Sequence, residues 1–422
     1  MAESTAGGKW HQQLHWRIAI AMALGVIAGL IGGEPFADKV GWLGTLFIKL
    51  LKMIIVPLVL TSIVTGVASV GAGAGLGRLF GKTLGYYGMT SLLACIVGLF
   101  MVNAIRPGVG ADLGSAETDE MPELETAQSF VEIILDIVPE NFVAAAAGAD
   151  MLAIIFFAIV LGLTISSLKT AHREPLLTLF DAGFAAMMRL TGGIIHIAAP
   201  VGVFALIARL MGTTGLGAFK ALGLYALMLV LGLTVHLLVT LPLILRFVGK
   251  INPVVHFRNM VQPIVMAFST SSSGATLPVT IDAVENKVGV SNRVTSFVLP
   301  MGATINMDGT ALYECAGVLF IAQVMGVPLG FEQQVLVVLT ALLASIGAAA
   351  VPSAGLVVIF IVLEAVGLTG QQAELIVGAM LAVDRPLDMY RTVVNIFSDS
   401  CGAAIIAKSE GETGIDEVAK AA

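Results

Sequence analysis

The chain has 422 residues, 57% of them hydrophobic and 12% charged, with a mean hydropathy of +0.95. Soluble globular domains carry about 25% charged residues, so this composition points to an integral membrane protein and away from a soluble enzyme or a nucleic-acid binder. The formal net charge of −7 identifies no partner, because much of it sits between Asp112 and Glu125 and in the tail. The three cysteines, Cys95, Cys315 and Cys401, lie far apart in apolar runs, which argues against both a disulfide framework and a zinc site.

In chain order, a polar start with Lys9, His11, His15 and Arg17 precedes a first apolar span, about Ile18 to Gly32. That run is too long for a signal peptide, and no A-x-A-like cleavage site follows it. Glu34, Asp38 and Lys39 read as a short loop, followed by a second span over Leu43 to Val70. After the Gly-rich GAGAGLGR, a third span covers Tyr86 to Ala104, stopped by Arg106-Pro107. Residues 107–126 are acidic and form an exposed loop. A fourth, interrupted span joins Phe130–Val138 to Met151–Ile165. The fifth runs over Leu176 to Met211 and the sixth over Ala221 to Phe247. His196 and His236 stand alone in apolar runs and read as packed or lumen-facing. Basic residues gather at the amino terminus and near 78–82, 169–173, 246–258 and 287–293, which places those ends and the amino terminus in the cytoplasm and the acidic loop outside.

Beyond Phe247 the segments shorten. Val261–Ala267, then FSTSSSGATLP, then Val279–Val284 reads as a hairpin that enters and leaves on one side. Val335–Leu343, ASIGAAAVPSAG and Leu356–Val366 form a second such unit facing the other way. At membrane depth, unwound Ser/Gly/Pro-rich backbone is tolerated only where protein buries it or where it lines a cavity. Two broken segments of opposite topology mark a transporter site between inverted repeats. The alternative is a pair of full, kinked spans, which preserves the same parity of sides. Between the hairpins, Phe297–Val324 contains GATINMDGTALYE, in which Gly302, Asn306, Asp308 and Gly309 interrupt an apolar run. Carbonyl oxygens, hydroxyls and one carboxylate suit a hard monovalent cation better than a transition metal. A plain glycine kink with Asp308 capping a half-helix is the competing reading.

The last apolar stretch, VDRPLDMYRTVVNIFSDSCGAAIIAK over 383–408, carries Asp384, Arg385, Asp388, Arg391, Asn395 and Asp399. Asp388, Arg391 or Thr392, Asn395 and Asp399 stack on one helical face. A charge at membrane depth costs at least ~2.5–3.5 kcal/mol and must face protein or water. Either the stripe is a site for a zwitterion with a second acidic group and a cation, or Asp388 and Arg391 neutralise each other, which leaves Asn395 and Asp399 unexplained.

TSSSGATLP at 270–278, GATINMDGTALYE at 302–314, the 345–355 tip and LDMYRTVVNIFSDS at 387–400 occur together and in order. With YYGMTS at 86–91, they resemble the glutamate/aspartate transporter family, the dicarboxylate/amino acid:cation symporters. The resemblance implies an all-α membrane fold of about eight spans plus two opposed re-entrant hairpins, assembled as a homotrimer in the plasma (inner) membrane with both termini cytoplasmic. It implies a scaffold (1–79 and 127–213) and a transport domain (80–106 and 214–408) that moves as an elevator. Residues 107–126 form the outer loop and 409–422 the tail.

The resemblance also implies site residues. Asp388 holds the substrate amino group and Arg391 its side-chain carboxylate, which a guanidinium fork suits on chemical grounds as well. Ser272, Ser273, Thr310, Val351, Gly355, Thr392 and Asn395 complete the cradle. One sodium site draws on Asp399, Gly302, Asn306 and Asn395, with Met307 beside it. A second draws on Thr304, Ser345, Ile346 and Ala348, and a third on Tyr87, Thr90, Ser91, Asn306 and Asp308. The function implied is sodium-coupled uptake of L-aspartate or L-glutamate, with the 345–355 tip as outer gate.

Three departures stand out. Some relatives have an arginine at the position of Ser271 or of Met389, and this chain has neither, so that positive charge is either missing or replaced by Arg385. Glu314 stands where the animal branch has its proton-carrying glutamate, which implies proton co-transport and potassium counter-transport. Ala350 and Ser353 replace glycines of some gates and stiffen the tip. A C4-dicarboxylate symporter is the nearer alternative, and a gated channel the more distant one. A hydrolase using Ser271–Ser273 has no base at hand in the sequence, so no catalytic residues are expected.

Overall fold

The computed structural model describes residues 14–68, 76–111, 113, 135, 138–148, 150–215, 217–347 and 354–415, and its regular structure there is helical. The fourth span's first part, Phe130–Val138, and the second hairpin's tip, including Ala348, Ala350, Val351 and Ser353, lie wholly or largely outside the described residues.

Helix α1, Leu14–Ala68, joins the first two expected spans. Glu34, Asp38 and Lys39, expected in a loop, are helical and exposed. The break shrinks to Gly33, at φ 57 and ψ −160, because Pro35 can open a new helical run in its first turn. Buried Ala37 then packs against Gly212. Helix α2 (Leu76–Ile105) starts well before the expected Tyr86. The short α3 (Phe142–Ala147) and α4 (Met151–Ser167) are capped by Asn141 and Asp150, whose side chains accept backbone N–H groups. Helix α5 (Thr170–Thr214) runs alongside α1, with Gly25 and Gly29 against the backbone at Phe204 and Ala208. Small residues allow this close approach where lipid supplies no hydrophobic drive.

Helix α6 (Gly217–Val235) continues through a π turn, His236–Thr240, into α7 (Leu241–Phe247). The short α8 (Pro253–Asn259) leads to a pair of packed helices, α9 (Val261–Thr270) and α10 (Ser273–Ala283). They are separated by Ser271 in the left-handed region and by the extended cap Ser272. Helices α11 (Asn292–Ile305) and α12 (Asp308–Val324) are parted only at Asn306 and Met307. The break is thus narrower than the motif suggested, with Gly302 inside α11. A second packed pair, α13 (Phe331–Gly347) and α14 (Ala354–Ala365), precedes α15 (Gln371–Ser409), which begins twelve residues before the expected Val383.

Two segments form the interior. Residues 308–322 of α12 and 391–407 of α15 are buried without interruption. A helix buried all round needs no polar face, so each polar side chain on it must find a partner inside. Among the described residues, four helical stretches are long and apolar enough to cross a membrane, at Trp16–Ala68, Arg78–Ile105, His196–Thr213 and Phe219–Phe247.

Ionic contacts tie the ends together. Glu410, just past α15, accepts from Arg78 at 2.7 Å and from Lys82 at 2.6 Å, and these bonds hold its carboxyl at about 2, below the ordinary 4.5. Glu412 accepts from the N–H and hydroxyl of Ser291. Lys52 of α1 meets Glu374 of α15 at 2.6 Å and lies over the Phe360 ring of α14.

Candidate functional site

Burying Arg391 in α15 requires counter-charges, and they come from its own helix. Nη2 donates to Asp388 Oδ1 at 2.9 Å, one turn earlier, and to Asp384 Oδ1 at 3.1 Å, two turns earlier. The Asp388–Arg391 ion pair read from the sequence therefore exists, and Asp384 is a second partner. The guanidinium lies 3.8 Å from the centre of the Tyr313 ring. Its Nε and Nη1, both buried, have no hydrogen-bond partner among the described residues. Gly355, at the start of α14, lies against Nη1, where a Cβ would stand 3.0 Å away. Nη2 is thus held by carboxylates, and Nη1 presents an unpartnered donor beside a residue without a side chain.

The remaining cradle residues fall into two groups. Thr310 and Asn395 meet, with Asn395 Nδ2 3.5 Å from Thr310 Oγ1 and 3.3 Å from Met307 Sδ. Asn395 Oδ1 accepts from the N–H of Gly309 at 2.8 Å, which anchors α15 to the first turn of α12. Thr392 donates to the carbonyl of Asp388. At the tip of the first helix pair, Ser272 Oγ accepts from Ala275 N, and buried Ser273 opens α10, which packs on α15.

A second polar cluster lies further along α15. Asn306 Nδ2 donates to Asp399 Oδ1 at 2.9 Å and to Ser398 Oγ at 3.1 Å. Ser398 donates to Asp308 Oδ2, and Ser91 to Asp308 Oδ1, both at 2.6 Å. Thr90 donates to Asn306 Oδ1 at 3.4 Å, and the Tyr87 hydroxyl donates to the carbonyl of Val298 at 2.8 Å. A Cβ on Gly302 would collide with Asp399 Oδ1 and the Tyr87 hydroxyl, so a larger residue there has to displace both. Through Asn306 and Ser398, Asp399 of the first expected cation set is thus joined to Thr90, Ser91 and Asp308 of the third, whereas Asn395 sits with Thr310 and Tyr87 is bonded to Val298. The second set is not joined in this way. Thr304 donates to the carbonyl of Met301 and lines a cavity of about 390 Å³ against α1 and α5, while Ser345 donates to Leu342 and Ile346 is half-buried.

Three contributors were not anticipated. His236, in the π turn, pairs through Nε2 with Asp308 Oδ2 at 3.1 Å. Ser398 bridges Asn306 and Asp308, and Asp384 shares Arg391 with Asp388. The i to i+7 spacing of Asp384 and Arg391 was a usable signal, whereas nothing in the sequence joined His236 to Asp308. Glu314, fully buried on α12, has no hydrogen-bond partner for either carboxyl oxygen among the described residues.

Broken helices around a buried guanidinium fork and an oxygen-lined polar cluster define a secondary transporter. The model of the Sodium:dicarboxylate symporter family matches residues 14–409, and the chain belongs to that family. The Escherichia coli "Proton/glutamate-aspartate symporter" is 35% identical over 413 residues, covering 94% of this chain and 93% of its own. The Geobacillus stearothermophilus "Proton/sodium-glutamate symport protein" is 35% identical over 407 residues, covering 94% and 95%. The human "Excitatory amino acid transporter 3" is 36% identical over 416 residues, covering 86% and 78%. The chain is a multi-pass membrane protein.

Proposed function

We propose that this protein is a sodium-coupled carrier that takes up L-aspartate or L-glutamate. One observation carries the reading. Arg391 is buried, with Nη2 held by Asp388 and Asp384, while Nη1 beside Gly355 and Nε on the opposite edge have no partner among the described residues. The unpartnered Nη1 suits a substrate carboxylate, and Asp388 suits an ammonium group. Thr310, Thr392 and Asn395, with Ser272, Ser273, Val351 and Gly355 from the hairpin tips, complete the cradle.

Cations bind at the oxygens of Asp399, Asn306, Asp308, Ser91 and Thr90, near the carbonyl of Gly302. Their charge offsets two carboxylates that would otherwise repel an acidic substrate. Asn395 of α15 bonds Gly309 and Asn306 of the α11–α12 break bonds Asp399, so filling one site orders the other, which is a coupling free energy between ligands. Glu314 carries a proton across as the neutral acid.

The mobile unit comprises α2, α6–α7, the two helix pairs acting as opposed re-entrant hairpins, α11–α12 and α15. Helices α1, α4 and α5 form the scaffold of a homotrimer, with both termini cytoplasmic. The names of the three relatives and the family membership support carriage of an acidic amino acid. The test is uptake of radiolabelled L-aspartate, L-glutamate and succinate into proteoliposomes, with and without a sodium gradient. Saturable, sodium-dependent uptake of the amino acids is expected. Preference for succinate would make the protein a dicarboxylate carrier, and non-saturating flux would make it a channel.

A further inference from the structure

Asp388 serves two guanidinium groups at once. Its Oδ1 accepts from Arg391 Nη2 at 2.9 Å, and its Oδ2 lies 3.4 Å from Nη1 of Arg385, three residues earlier on the same helix. Arg385 is only 21% exposed, and its buried Nε has no hydrogen-bond partner among the described residues. With Asp384 on the far side of Arg391, two carboxylates and two guanidinium groups fill two helical turns, and their formal charges sum to zero.

We infer that Arg385 is a specificity-determining residue, acting through Asp388 to make the cradle accept an acidic substrate in preference to its neutral isostere. The inference rests on the carrier reading above. With both arginines the empty cradle is neutral, and a monoanionic amino acid brings it to −1. Without Arg385 the empty cradle stands at −1, and the same substrate brings it to −2. A neutral zwitterion leaves either sum unchanged, so the loss falls on acidic substrates. A second effect runs the other way. Arg385 competes with the substrate ammonium for Asp388 Oδ2, so its removal frees an acceptor for every amino acid. The two effects separate cleanly in the ratio of acidic to neutral affinity.

The experiment is equilibrium binding of radiolabelled L-aspartate to the purified full chain at saturating sodium, with L-asparagine measured as a competitor. Wild type is compared with Arg385→Gln and Arg385→Lys, and a sodium-induced rise in Tm reports that each variant is folded. Arg385→Gln should raise the Kd for L-aspartate about 10- to 50-fold, as expected for one unit charge removed at this range in a partly screened interior. L-asparagine should hold or improve, and Arg385→Lys should recover most of the L-aspartate affinity. Equal loss for both ligands, unchanged L-aspartate binding, or a lysine variant as poor as glutamine would each overturn the inference. If the wild type binds no L-aspartate, the carrier reading falls as well; if the wild type binds and Arg385→Gln matches it, only this inference falls.

Discussion

Replacing Glu314 by glutamine tests whether a proton travels with the cargo. Both carboxyl oxygens are buried and without a partner among the described residues. Moving that group as an anion across a membrane interior costs at least ~2.5–3.5 kcal/mol, so it crosses protonated. One carboxyl carries one proton per cycle. Each pH unit across the membrane is then worth about 1.4 kcal/mol, and it multiplies the plateau accumulation of L-aspartate about tenfold. Glu314→Gln preserves the shape of the neutral acid and removes the titrating proton, so the slope should fall to zero while sodium-driven uptake remains. The assay is plateau accumulation in proteoliposomes at a fixed sodium gradient and clamped potential, with the outer pH stepped over two units. A wild-type plateau indifferent to the pH gradient, or a glutamine variant with the wild-type slope, refutes the reasoning.

Arg391→Gln removes the Nη1 donor from the substrate carboxylate. At about 1.5–3 kcal/mol for a charge-assisted bond, the loss is about one to two decades in L-aspartate affinity. Competition binding should show L-serine nearly unaffected. Gly302→Ala forces a methyl group against Asp399 and the Tyr87 hydroxyl; overpacking of about 1–3 kcal/mol should raise half-saturating sodium about 5- to 150-fold in a sodium titration. Glu410, held at about 2 by Arg78 and Lys82, contributes stability that is present above its ordinary 4.5 and lost as pH falls toward 2. Glu410→Gln should therefore lower Tm at pH 7, and the gap to wild type should begin to narrow near pH 4.5 and close only near pH 2 in thermal melts.

The polar side chains at membrane depth made the interior legible. Asp388, Arg391, Asn395 and Asp399 could only be buried among partners, and the structure finds those partners on α12, on α15 and at Asn306 in the break before α12. The helix pairs around Ser271 and residues 348–353 were legible because short apolar runs flank Ser/Gly-rich breaks. The loop at Glu34–Lys39 was misread because charge and glycine suggest a turn, while Pro35 restarts a helix at once and its charges face outward. The π turn that brings His236 to Asp308 left no trace, since it depends on a contact between residues 72 positions apart in the chain. The helix starts were also late, because Leu76–Gly85 and Gln371–Ala382 extend spans by turns that hydropathy alone does not delimit.

In the proposed division into scaffold and mobile unit, the contact of Lys52 with Glu374 spans the boundary between the two. The proposed stroke has to rupture it. A partly exposed pair of this kind is worth about 0–1 kcal/mol, which thermal motion overcomes readily. It therefore works as a shallow detent, biasing the time spent at one end of the stroke up to about fivefold while adding little to the barrier between the ends.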